Sequence, residues 1–144
     1  MESVKLLVGV LIKCKPMYNL KPYKANSEED VLRFMEDHPF ASLTTLGSDG
    51  EYYSTQVPFM LNTGDNGLYL EGHIMKATDH YKAFTQNPKV MVLFTGPNAY
   101  VSASWYANPK SGSTWNYMSV QVKGKIEFMN NEELSQFMDK FTLK

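Results

Sequence analysis

Cysteine is nearly missing. Cys14 is the only one in 144 residues, which excludes an internal disulfide and any cage of cysteine thiolates, and fits a reducing compartment such as the cytoplasm. Histidine is almost as scarce. His38, His73 and His80 are scattered, and Gly72 with the strand-like run before it keeps the last two off a shared helix, so no metal centre is expected. Charge of one sign is lacking too. Fourteen Lys+Arg stand against fifteen Asp+Glu, a net charge of -1, so no long-range field draws the chain onto DNA or acidic lipid. There is no basic run and no recognition helix, which argues against direct DNA binding, although a local basic face stays open.

Long hydrophobic runs are also absent. The longest early one, Leu6 to Ile12, is bracketed by Lys5 and Lys13 and is far short of the roughly twenty residues a membrane-crossing helix needs. Lys13-Cys-Lys-Pro follows it where a signal peptide would carry small residues. The run reads as an added strand or a flexible extension. Nucleophile and phosphate-loop signatures are missing as well: no Gly-x-Ser-x-Gly, no cysteine–histidine pairing, no Walker loop, and no Gly-x-Gly-x-x-Gly after the first strand. Hydrolysis and nucleotide-triphosphate chemistry are disfavoured.

What is present suffices for one folded domain, with 43% apolar and 13% aromatic residues. Ser27-Glu-Glu-Asp30 is a helix start, and Val31, Leu32, Phe34 and Met35 give that helix an apolar stripe up to His38-Pro39. Phe40–Leu46 and Glu51–Phe59 read as a hairpin around Gly47-Ser-Asp-Gly50, with Pro58 demanding a bend, bulge or edge. A turn at Thr63–Gly67 leads to a strand over Leu68–His73, then a helix over Met75–Gln86 ended by Asn87-Pro88. Lys89–Thr95 and Ala99–Tyr106 read as two strands split by a Gly96-Pro97 turn. Thr114–Met129 is a long strand bent at Gly124, and Asn130-Asn-Glu-Glu opens a final helix. The expected fold is mainly β: a six-stranded antiparallel split β-barrel of Greek-key type with a few flanking helices.

Three polar-aromatic segments are candidates for a site. Ser54-Thr-Gln-Val57 would present a hydroxyl and an amide on one strand face, or simply an ordinary polar outer surface. Gly72 to Thr78 runs from a strand into a helix, where Lys76, Thr78 and free amides suit a phosphate. The block from Gly96 to Tyr117 gathers Trp105 and Trp115 with Tyr100, Tyr106 and Tyr117, rings that could stack on a flat ligand or pack in a core or dimer interface.

Gly-Pro-Asn-Ala-Tyr-Val-Ser-Ala-Ser-Trp-Tyr106 and Thr-Trp-Asn-Tyr117 resemble the PaiB family of transcriptional regulators, within the FMN-binding split-barrel group that includes pyridoxamine-phosphate-oxidase-like proteins. The resemblance covers residues 17–144, beginning at Met17-Tyr18, so residues 1–16 are expected to be an N-terminal extension. Members usually continue for tens of residues past the final helix. The resemblance implies FMN in a groove between the subunits of a homodimer. Ser54, Thr55, Gln56 and Val57 would line the isoalloxazine edge, and His73, Lys76 and Thr78 would face the phosphate. Trp105, Trp115 and Asn116 would close the pocket, from the neighbouring subunit if the groove is shared. One lysine and no arginine at the phosphate end departs from oxidase-type relatives. The implied function is FMN binding, with flavin-dependent oxidoreduction as the chemistry if the protein is an enzyme; the alternative is a negative regulator acting through DNA or a partner without redox chemistry.

Overall fold

The computed structural model describes residues 2–7, 21–64, 67–108 and 110–142. Cys14, Met17-Tyr18 and most of the 1–16 extension lie outside the described residues. Strands run over Glu2–Leu7 (β1), Phe40–Leu46 (β2), Tyr52–Pro58 (β3), Met60–Gly64 (β4), Gly67–Ile74 (β5), Lys89–Val101 (β6) and Thr114–Phe128 (β7). Helices cover Glu28–Asp37 (α1), Asp79–Gln86 (α2) and Asn131–Thr142 (α3). The seven strands form one antiparallel ladder in the order β3-β2-β6-β7-β1-β5-β4. This is the mainly-β, split-barrel-like architecture expected, except that the described ladder does not close: β3 and β4 are its edges.

The helix ends follow from their caps. Ser27 Oγ accepts a hydrogen bond from Asp30 N at 3.1 Å, starting α1 where the sequence placed it. At α3, Asn130 Oδ1 accepts from the amides of Glu132 and Glu133 while Glu133 Oε2 accepts from Asn130 N, each at 3.0 Å, a reciprocal cap. Thr78 Oγ1 accepts from Tyr81 N at 3.4 Å, so α2 begins at Asp79, four residues later than its apolar pattern predicts.

Two expectations are corrected. Gly96-Pro97 does not turn the chain; β6 runs through it, and the register slips by one residue between Thr95 and Asn98, a bulge where proline cannot donate to the ladder. The segment after it ends at Val101, followed by a 3₁₀ turn over Ala103–Trp105. Gly124 sits inside one long β7, as expected, and pairs with Val90 in an unbroken register. Gly96 does permit a close approach: a β-carbon there would lie 2.7 Å from the ring of Phe34, which stacks on His38 at 4.4 Å where α1 ends.

The inner faces of the strands form one core, with Leu43, Val57, Leu70, Val92 and Phe94 at most 1% exposed. Phe84 of α2 and Met35 of α1 close it. Each such side chain contributes about 1.5–3 kcal/mol by leaving water. Outside the sheet, Phe137 anchors α3 over the outer side of β5.

Candidate functional site

Directly opposite residues of an antiparallel ladder share a face, so the registers define the outer surface rung by rung. Ser54 lies opposite Thr44, Thr44 opposite Met91, and Met91 opposite Lys123. The next rung is Gln56, Ser42, Leu93 and Gln121. Continuing along β7 on that face come Ser119, Tyr117 and Trp115, with Tyr100 opposite Trp115. Ser54, Gln56, Trp115 and Tyr117 therefore share one continuous outer face. Thr55 and Val57 point to the other side, Val57 fully into the core, and Asn116 also alternates to that side.

The β3 segment is braced. Ser54 Oγ and Thr44 Oγ1 are 2.9 Å apart, and Gln56 Nε2 donates to Ser42 Oγ at 2.7 Å. At the head of the strand, Tyr53 donates its phenol proton to Asp49 Oδ2 at 2.6 Å, and Asp49 Oδ1 accepts from Glu51 N at 3.1 Å. The hydrogen bond from Tyr53, then that from Glu51, holds the Asp49 carboxyl below its ordinary range, and the same carboxylate raises the Tyr53 phenol. These two bonds brace the β2–β3 turn.

Gly72 joins β5 to that corner. A β-carbon on Gly72 would lie 2.6 Å from Val57 Cγ1 and 3.1 Å from Phe59, so the bare backbone brings the end of β5 against the end of β3. Four residues beyond β5 the chain reaches the cap of α2, where Thr78 Oγ1 also donates to Met75 O at 2.9 Å. Its hydroxyl proton is already engaged; the exposed Lys76 lies just before that turn, beside the first-turn amides of the helix. Asp79 in that turn is offset by Lys82 at 3.3 Å. Burial pushes His80 below the ordinary histidine value, against the opposing pull of Asp79. His73 lies elsewhere. Its ring sits edge-on to Phe141 of α3 at 4.9 Å, and its Nδ1 is buried without a hydrogen-bond partner among the described residues.

The aromatic segment stands apart. Trp105 is 73% and Trp115 59% exposed, and Trp115 touches Tyr100 with ring centroids 5.9 Å apart. Two strands separate β7 from β3, a lateral distance of about 14 Å at ~4.8 Å per strand. Trp115 also lies beyond Gln121, the residue on the Gln56 rung, by roughly 20 Å along β7 at ~3.4 Å per residue. One chain thus brings Ser54–Val57 and Gly72 together and leaves Trp115 distant. No group of three or more His, Cys, Asp or Glu among the described residues could hold a metal ion, and no described helix is long and apolar enough to cross a membrane.

Residues 17–144 match the family model described as "Putative FMN-binding domain". Over 120 residues the chain is 31% identical to "Protease synthase and sporulation protein PAI 2" of Bacillus subtilis (strain 168), an alignment covering 83% of this chain and 57% of that protein. The chain therefore spans little more than half the length of the relative. The resemblance carried by Gly96–Tyr106 and Thr114–Tyr117 is borne out, and FMN is the cofactor the family is described by.

Proposed function

The chain belongs to the FMN-binding domain family, and from that premise we propose that it holds FMN across the corner where β3 meets β5, in a groove completed by a second copy of itself. The observation that carries this reading is Gly72, whose missing side chain lets the Ser54–Val57 strand and the Gly72–Thr78 turn lie side by side. Their donor set fits a flavin. Ser54 and Gln56 offer a hydroxyl and an amide on a strand at the sheet edge, suited to the carbonyls and ring nitrogens of an isoalloxazine. Lys76 and the first-turn amides of α2 suit a phosphate. Thr55 and Val57 support the strand from the core side, and His73, covered by α3, backs the β5 end.

Trp115 and Asn116 cannot reach that corner within one chain by the ladder geometry. An isologous dimer would carry this wall across to the partner's corner and would cover exposed rings. The bound flavin supplies redox chemistry; the chain's own residues bind it, orient it and exclude water.

A second reading is a regulator that senses flavin without turning it over. It is favoured by the chemistry of the corner, where Ser54, Thr55, Gln56 and Val57 include no titratable side chain to move a proton. The 31% identical relative is named for protease synthesis and sporulation, which fits a controlling role. Titration of the chain into FMN separates binding from its absence: flavin fluorescence is expected to be quenched, and Lys76→Ala to weaken the quenching. No quenching at high micromolar protein would contradict the reading. Steady-state reduction of the bound flavin by a nicotinamide donor then divides oxidoreductase from sensor.

A further inference from the structure

We propose that the other end of the outer sheet face, around Lys89, Lys123 and Lys125, docks single-stranded nucleic acid. The β6–β7 register sets Lys89 directly opposite Lys125, with Lys123 two residues along on the same face, opposite Met91. All three are exposed. Like charges directly opposite each other destabilise a ladder, and among the described residues none of these ammonium groups forms an ion pair. The four strands β2, β3, β6 and β7 carry no other cation and one carboxylate, Glu127. In a chain of net charge -1, this is a concentrated basic block. Its cost in repulsion is relieved by an anion.

The neighbours on the face select the kind of anion. Tyr52, 79% exposed, lies opposite Leu46, one register step beyond the Thr45–Val90 pair that leads to Lys89. Thr44 and Ser54 occupy the adjoining rung. Same-face positions on a strand are about 6.8 Å apart, so Lys123 and Lys125 can meet successive phosphates of an extended strand while Tyr52 offers a ring for a base to stack on. Lysines spaced along one strand beside a single exposed ring suit an extended single strand with an unstacked base more than a base-paired duplex. The block lies at the far end of the face from Trp115 and needs neither FMN nor the second copy.

The test is fluorescence anisotropy of a short labelled oligothymidylate titrated with the full chain at low salt. A dissociation constant on the order of 10⁻⁵ M is expected, with a log–log salt slope of about -2, near 0.7 per phosphate contact. Lys123→Ala/Lys125→Ala should weaken binding about tenfold or more and flatten the slope. Lys89→Thr should weaken binding and yet raise Tm by about 1–2 °C, because it removes the opposed charge; a merely structural lysine would not move the two in opposite directions. Tyr52→Ala should weaken binding about fivefold or more with the salt slope kept. Lys140→Ala, on α3, should change nothing. Absence of an anisotropy change, binding indifferent to Lys123→Ala/Lys125→Ala, or equal affinity for polyglutamate or duplex DNA would overturn the proposal.

Discussion

The corner of β3 and β5 and the hairpin of β6 and β7 are built on opposite plans. At the corner polar side chains hold one another: Ser54 pairs with Thr44, Gln56 with Ser42, Tyr53 with Asp49, and Val57 is wedged against Gly72. On the hairpin, Trp115, Tyr117 and Met118 are more than half exposed, and the only ring contact of Trp115 among the described residues is Tyr100. A braced corner is preorganised for a ligand, whereas bare rings on a long two-stranded arm suit a surface that another molecule will cover. The contrast is what the proposed division of one site between two copies of the chain would produce.

The contrast can be broken first at Gly72. Gly72→Ala forces a methyl group into Val57 and Phe59, and should cost about 1–3 kcal/mol of unfolding free energy, measured by urea denaturation. A far smaller cost would mean that β3 and β5 are not locked together. Trp115→Ala should leave monomer stability within about 0.5 kcal/mol while raising the FMN dissociation constant about tenfold, or ~1.4 kcal/mol. Flavin fluorescence titration reads the second effect and thermal melting the first.

Much of this was legible in the sequence because it rests on local chemistry. Ser27 marked α1, Gly47–Gly50 marked the β2–β3 turn, and the alternation of Ser54 and Gln56 with Thr55 and Val57 marked a strand with two unlike faces. Gly96-Pro97 misled because a Gly-Pro pair serves a bulge as well as a turn, and only pairing with β7 decides between them. His73 was grouped with Lys76 by the family resemblance, but strand alternation turns it toward α3, more than fifty residues downstream. The lysine block was invisible as a run, since Lys89 meets Lys123 and Lys125 only through the β6–β7 register. Trp105 and Trp115 were visible as a pair, while their distance from Ser54 depends on strand order, which no local pattern states.

Two smaller effects sharpen the comparison. Gln56→Ala removes the bond to Ser42 at an exposed position and should cost about 0.5 kcal/mol, a difference in chemical-denaturation midpoint. His80 gives a pH signature. Because burial lowers its folded value, the unfolded chain binds the proton more readily, so its contribution to stability is present above about pH 6.5 and is lost as pH falls below that. Tm should drop modestly on acidification through this window, and His80→Gln should flatten that part of the profile.

The division of one site between two copies is tested most directly by complementation. Lys76→Ala spoils the phosphate end of a corner and keeps the aromatic wall, whereas Trp105→Ala/Trp115→Ala keeps the corner and spoils the wall. Each variant alone should bind FMN weakly. Refolded together from an equimolar mixture, half the dimers are mixed and each mixed dimer has one intact corner facing one intact wall, so about one quarter of the sites should regain parental flavin affinity. Recovery of that fraction in a fluorescence titration is the predicted result. A mixture that binds no better than the two variants measured separately would contradict the account.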